Sequence, residues 1–467
     1  MKILIQNGRV MDPGRGFDQV CDIAIDHGRI AAIGGLPEGF TPTRVIDASG
    51  CWVLPGLVDL AVRLREPGHE HEGMLESEMA AAVAGGVTSL VCPPDTDPVL
   101  DEPGHEHEGM LQSEMAASVA GGVTSLVCPP DTDPVLDEQG LVEMLKFRAE
   151  KLHQSRLFPL GALTRGLAGE VLTEMNELTE SGCVGFGQAD VPLASTQTLQ
   201  RALQYAATYG YTVWLRPQEM HLGKGVAASG PLATRMGLSG VPVSAETIAL
   251  HTIFELIRGT AARVHLCRLS SAAGVELVRR AKAEGLSVTA DVSINSLHLT
   301  DTDIGYFDSS ARLNPPLRQQ RDRDALSAAL ADGTLDALVS DHTPVDDDAK
   351  VLPFAEAEPG ATGVELLLSL AVKWSQAQEV PLARAIEVIT AAPARVLGTA
   401  LGELQSQIGQ LQVGGVADLC IVDPETHWEV TPAALVSQGK CTPFGGYELP
   451  ARVRCTLVAG RIAFERG

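Results

Sequence analysis

Positive charge is scarce in this sequence: 35 Lys and Arg face 59 Asp and Glu, a formal net charge of −24. Such a surface repels nucleic acid and anionic lipid, so neither nucleic acid nor a membrane is an expected partner. Aromatic residues are few, at 4%, so Ala, Val and Leu must fill most of the interior. No run of about eighteen consecutive apolar residues occurs, which argues against a membrane span. Met1 to Gly8 reads as a short strand and turn without the apolar stretch of a secretory signal. The nine cysteines are scattered and form no Cys-x-x-Cys pair. They read as reduced thiols, and the expected location is cytoplasmic. No Gly-x-Gly-x-x-Gly opens a helix after a strand, so Gly34-Gly35 and Gly121-Gly122 are turn and cap glycines rather than phosphate loops. No Ser-His-Asp or Cys-His arrangement has supporting context.

What is present suits a large core, since 45% of the 467 residues are hydrophobic. A tandem duplication stands out. Residues 66–101 recur at 102–137 with two differences, Glu76 against Gln112 and Ala82 against Ser118. Repeat architectures hold their fold at far lower identity and need at least about three copies. Each unit reads as a helix and then a strand. Leu111, Met115 and Val119 share one helical face, and Val123 to Cys128 is a strand run after Gly121-Gly122. A closed barrel has a fixed strand count, so one copy is expected in the core and the other outside it.

Residues 1–55 carry short alternating strands separated by Gly, Pro and Asp turns, and the C-terminal end repeats the style. Residues 1–55 plus 400–467 are therefore expected to form a small β-sandwich domain. Over 56–399 the period changes. Apolar runs at 89–92, 156–160, 212–215, 263–266, 287–290 and 337–340 alternate with amphipathic helices. Strand followed by helix over such a length predicts an α/β fold, a (β/α)8 barrel in preference to a doubly wound sheet. Chemistry in such barrels sits at the C-terminal ends of the strands.

Those strand ends carry recognisable runs. Val53-Leu54-Pro55-Gly56-Leu57-Val58-Asp59 leads into Ala61-Val62-Arg63-Leu64-Arg65-Glu66-Pro67-Gly68. Asn314-Pro315-Pro316-Leu317-Arg318, Ser340-Asp341-His342-Thr343-Pro344, Leu352-Pro353-Phe354 and Gly414-Gly415-Val416-Ala417-Asp418 follow in order. Together these resemble the dihydroorotase-type amidohydrolases across nearly the whole chain. The resemblance implies the barrel and one or two zinc ions held by imidazole and carboxylate donors. The metal lowers the pKa of its bound water to about 7, giving the hydroxide that attacks a ring amide.

By that resemblance the ligand positions have changed. The first-strand His-x-His is Ala61-x-Arg63, the bridging lysine is Gly187, and the next histidine is Arg216. The last metal histidine is Arg268, and only Asp341, a ligand and proton shuttle in active members, persists. Arginine is permanently cationic and offers a metal no lone pair. The expectation is no cofactor and no catalytic residue, with Asp341 vestigial and the arginines pairing with it. The alternative is zinc. Arg65 matches a carboxylate clamp and Asn314 a pyrimidine-ring contact, both read as vestigial. Asp95 and Asp131 stand where the family has Asn, and Asn295-Ser296 where it has a His pair.

Blander readings account for the other histidines. His69, His71, His105 and His107 fall among acids at a helix start, where a solvated N-terminus outweighs metal binding. His265 sits inside a strand and reads as a core residue. The sequence therefore resembles the non-catalytic dihydroorotase-like subunits that accompany aspartate transcarbamoylase in pyrimidine biosynthesis. Catalytic chains of that enzyme are the implied partner, with a homo-oligomer expected. The alternatives are an active zinc-dependent dihydroorotase and an anion-binding module using Arg65 and the new arginines.

Overall fold

A computed structural model describes residues 1–63, 81, 83–90, 125–126, 130–131, 134–152, 156–193, 195–437 and 439–466. Arg65, the four repeat histidines and the repeat helix over Leu111, Met115 and Val119 lie outside the described residues.

The two ends of the chain share one mixed sheet of eight strands. Lys2–Asp12 pairs antiparallel with Phe17–Asp26, which pairs with Arg29–Ile33. The seam between the ends is Trp52–Pro55 running antiparallel to Leu419–Val422. Leu419–Glu429 then pairs with Glu448–Val458, and that strand with Arg461–Glu465. Ile3, Ile5, Ile23, Ile25, Val53 and Leu457 supply a core of their own. The spacing of two between such residues puts them on one face of each strand.

Eight short parallel strands follow the expected strand–helix alternation. They are β1 (Leu57–Asp59), β2 (Val87–Leu90), β3 (Leu160–Ala162), β4 (Gly185–Gly187), β5 (Thr212–Leu215), β6 (Arg263–Leu266), β7 (Val288–Ser293) and β8 (Ala337–Val339). β3 to β8 form one parallel sheet in chain order, and β1 pairs with β2. β8 returns to β1 through a parallel bridge between Val62 and His342. Gly56 is required where β1 begins, because a Cβ there would meet Thr88 Oγ1 at 1.7 Å. The run read as one strand over 156–160 is split, with Arg156–Leu157 separate from β3. Pro159, which lacks the donor a ladder needs, lies at the break.

Of the two copies, the first supplies a strand to the barrel wall. β2 belongs to the first copy, whereas Ser125–Leu126 of the second pairs in parallel with Arg156–Leu157. Asp131 of the second copy is buried near the barrel mouth, and Leu136 accepts the Ala162 amide of β3 at 3.0 Å. The rest of both copies, on which the expectation of one copy inside and one outside turns, lies outside the described residues. Identical sequence carries identical strand propensity, and Ser89-Leu90 and Ser125-Leu126 both pair.

Outer helices pack by amphipathic faces. Helix α1 (Thr196–Tyr209) starts at Ser195, whose hydroxyl accepts from the Thr198 amide, and ends at left-handed Gly210. Helix α2 (Val243–Thr260) buries Leu250, Ile253, Phe254 and Ile257. Helix α3 (Ala272–Glu284) buries Val275, Val278 and Ala281 and is capped by Ser271. Inside the barrel Val58, Leu160, Trp214 and Val339 form a second core, each worth about 1.5–3 kcal/mol of burial. One stretch, Leu382–Leu404, is long and apolar enough to cross a membrane by length and composition, yet 67% of its window is buried inside the protein. Within it Val388 and Ile389 accept backbone hydrogen bonds from Leu338 of β8 and Val58 of β1, at 3.0 and 2.9 Å.

Candidate functional site

Five strands deliver charged side chains to one mouth of the barrel. Arg63 extends β1 and is held there by its amide donating to His342 O at 2.8 Å. Arg216 directly follows β5, Arg268 lies just past β6, and Asp341 just past β8. The fifth residue, Asp190, follows β4 and was not singled out from the sequence.

Asp190 is the hub. Its Oδ2 accepts from Arg63 Nη2 at 2.8 Å and its Oδ1 from Arg216 Nη1 at 2.9 Å. Arg268 Nη2 also donates to Oδ1. Arg268 Nη1 reaches Asp341 Oδ1 at 2.9 Å, and Arg63 Nη1 reaches Thr343 Oγ1 at 2.6 Å. The side chains of Arg63, Arg216 and Arg268 are only 4%, 5% and 1% exposed. The expected pairing of an arginine with Asp341 is present, but the acid that gathers all three is Asp190. A search for partners could have found it, since three guanidiniums at strand ends demand acids and Asp190 stands just beyond β4.

The electrostatics follow from this crowding. Burial alone would raise the Asp190 carboxyl, but Arg216, Arg268 and Arg63 outweigh it and hold its pKa well below the usual carboxylate range. Burial lifts Asp341 above its ordinary value despite Arg268 and Arg63. Burial lowers Arg63 to about 10 against the pull of Asp190. Arg268 is raised, because Asp190 and Asp341 overcome its burial. Beneath the cluster, burial pushes Asp59 up to about 7 even though its Oδ1 accepts from the amides of Ala61 and Ser340.

The remaining candidates fall into place around this network. Ala61 is buried, and its carbonyl accepts the His342 amide at 3.1 Å. Gly187 ends β4 and contributes a carbonyl to the Leu163 amide at 2.8 Å, with no side chain to offer. Asn314 precedes a cis proline, and its carbonyl meets Arg268 Nη1 at 3.4 Å. Asn295 and Ser296 are buried in a short helix capped by Ser293. Asp131 lies within electrostatic reach of Arg63. His342 Nδ1 accepts the amides of Gly363 and Val364 at 3.0 and 3.3 Å, so its proton sits on Nε2.

His265, Cys267 and Asp291 are close enough together to hold a metal ion. Their donors are already committed. His265 contacts Thr289 Oγ1 and Asp291 Oδ2, each at 2.8 Å, and Asp291 Oδ1 accepts the Arg268 amide at 2.7 Å. Burial holds the Cys267 thiol well above its usual value, away from the thiolate a metal needs. His265 is thus a satisfied interior residue.

A family model described as the amidohydrolase family matches residues 62–464. The chain belongs to the amidohydrolase family. It is 41% identical over 463 residues to a dihydroorotase-like protein of Pseudomonas putida, covering 99% of each chain. A dihydroorotase-like protein of Pseudomonas aeruginosa is 40% identical, with 100% of each covered. A dihydroorotase of Syntrophotalea carbinolica is 35% identical over 100% of this chain and 99% of its own. The L-hydantoinase (dihydropyrimidinase) of Arthrobacter aurescens has the same fold, with a TM-score of 0.81 at 23% identity over 100% of this chain and 96% of that one. In this dihydroorotase-like amidohydrolase, the ligand positions implied by the family resemblance hold a methyl group, three guanidiniums, a glycine and one carboxylate. Zinc needs imidazole, thiolate or carboxylate donors, and guanidinium has no lone pair for it. The donor set does not fit the metal. What the arrangement does chemically is lock five strand ends together and present buried positive charge.

Proposed function

We propose that this amidohydrolase is a non-catalytic dihydroorotase homologue that serves as a structural or regulatory subunit for aspartate transcarbamoylase in de novo pyrimidine biosynthesis, in the cytoplasm and as a homo-oligomer. One observation carries the reading: Arg63, Arg216 and Arg268 stand where a metal would need donors, and all three are ion-paired with Asp190. A pocket so filled has no route to an activated water, while the barrel and its exterior remain available for assembly. The dihydroorotase-like names of the two Pseudomonas relatives accord with this. The test is size-exclusion chromatography of the purified chain with catalytic transcarbamoylase chains, beside metal analysis and a zinc-supplemented assay of dihydroorotate turnover. Co-elution with no turnover and no stoichiometric metal is expected. Separate elution overturns the partnership.

The competing reading, an active zinc-dependent dihydroorotase, draws on the plain dihydroorotase names of relatives at 35% identity. It requires zinc to displace at least one guanidinium from Asp190 or Asp341, and the same turnover assay decides it.

A further inference from the structure

The loops that leave β4 and β5 part company outside the barrel, and a cavity of about 270 Å³ lies between them. Leu199 of α1 and Ile253 of α2 close its far side, and Val191, Leu193 and Met220 complete an apolar wall. Ile248, 46% exposed, and His221, also exposed, line its rim, so the cavity opens to solvent. Two polar linings are committed elsewhere. The Gln188 amide accepts from Thr164 and donates to Leu167 O, and Glu219 Oε2 accepts the amides of His221 and Leu222.

Arg216 differs from these. It lines the cavity, its side chain is 5% exposed, and its Nη1 donates to Asp190. Among the described residues no acceptor meets its Nε or Nη2. Nor is its charge fully answered by Asp190, which serves three guanidiniums at once. Arg268 has Asp341 as well, and Arg63 has Thr343 and nearby Asp131. Those donors face the solvent-open cavity, and an anionic acceptor entering it would replace water there with charge-assisted hydrogen bonds. The lining is mixed and includes the Glu219 carboxylate, which is turned to its own loop amides. An apolar wall with a few convergent polar groups is the usual form of a small-ligand site, and this one lies just below the usual range of roughly 300–1,000 Å³.

We propose that the cavity binds a small carboxylic acid with an aliphatic body. The carboxylate sits on the idle donors of Arg216, and the chain lies against Val191, Leu193 and Met220. An uncharged molecule of the same shape forfeits the charge-assisted hydrogen bonds. Inorganic phosphate forfeits the apolar wall. The site is independent of whether the chain assembles with transcarbamoylase.

Thermal denaturation of the full chain with hexanoate, hexanol or inorganic phosphate tests the proposal. A ligand that binds only the folded state raises Tm, by about 1.5 °C at tenfold excess over Kd for a chain of this size. Hexanoate is expected to give a saturable rise that hexanol and phosphate do not. Arg216→Gln and, separately, Ile248→Trp, which fills the rim from an exposed position, are both expected to abolish it. The second variant keeps the test decisive should the first fold poorly. No response to hexanoate, an equal response to hexanol, or a response that survives in either folded variant overturns the proposal. Loss of transcarbamoylase co-elution bears only on the assembly reading.

Discussion

Arg268 donates to Asp341 at 2.9 Å while both residues hold left-handed backbone, at φ 54° and 52°. Ala189, next to Asp190, shares that conformation at φ 55°. Each such residue costs about 1–3 kcal/mol unless its surroundings fix it. Here the turns after β4, β6 and β8 aim their side chains at the barrel mouth, and the ion pairs made there offset the strain.

The hub should matter more than its satellite. Asp190→Ala leaves three buried guanidiniums with Asp341 as their main counter-charge, and removing one side of a buried pair costs about 3–5 kcal/mol. Asp341→Ala leaves Arg268 still paired with Asp190, so a loss of about half that size is expected. Urea denaturation of the two variants measures the difference. Equal losses would contradict the central role of Asp190.

Two aspartates act on the pH dependence of stability with opposite signs. Asp190 has a folded pKa depressed below its unfolded value. Its contribution is complete above the unfolded pKa of about 4 and is lost as pH falls through the folded value. Asp59 has a folded pKa raised to about 7. The folded state then holds a proton that the unfolded state has released, so stability declines as pH rises from about 4 to about 7 and stays lower above that. Asp59→Asn is neutral throughout. Relative to the parent, it is expected to gain stability between pH 5 and pH 8, read as Tm against pH. A constant difference across that range would show that Asp59 is ionised in the folded protein.

Much of this was legible in the sequence, and the part that was not has a physical explanation. Strand–helix alternation located β5, β6 and β8 within a residue because each is a continuous apolar run beside polar turns. Ala61, Arg63, Gly187, Arg216, Arg268 and Asp341 could be named because motifs fix their places at strand ends. Asp190 escaped notice because no motif contains it, and only the closing of the barrel brings β4 opposite β1 and β6. The paired behaviour of the duplicated strands was hidden for a similar reason: a strand count constrains how many segments fit, not which copy supplies which residue.

Zinc should leave the protein indifferent. The expected result is no stoichiometric zinc after equilibration and no rise in Tm on adding it, read by elemental analysis and thermal denaturation. Replacing the obstructing groups should reverse this. A variant combining Ala61→His, Arg63→His, Arg216→His and Arg268→His removes three fixed positive charges and supplies neutral donors beside Asp341 and Asp190. Zinc is then expected to raise Tm by binding the folded state. Stoichiometric zinc in the parent protein would instead mean that the guanidiniums swing clear of the mouth.

The duplication offers a final test. Deleting residues 102–137 leaves one uninterrupted unit and places Asp95 in the sequence context that Asp131 has now. β2 and its pairing with β1 come from the first copy and are retained. The parallel pair between Ser125–Leu126 and Arg156–Leu157 is lost with the second copy, but the remaining Ser89-Leu90 run has the same sequence. Shortening a connection changes closure entropy only slowly, by about 0.6 kcal/mol per halving. The deletion is therefore expected to fold with Tm equal to or above that of the parent. A fall of more than about 5 °C, larger than one kcal/mol shifts a chain of this size, would mean that the second copy's strand carries packing the first cannot replace.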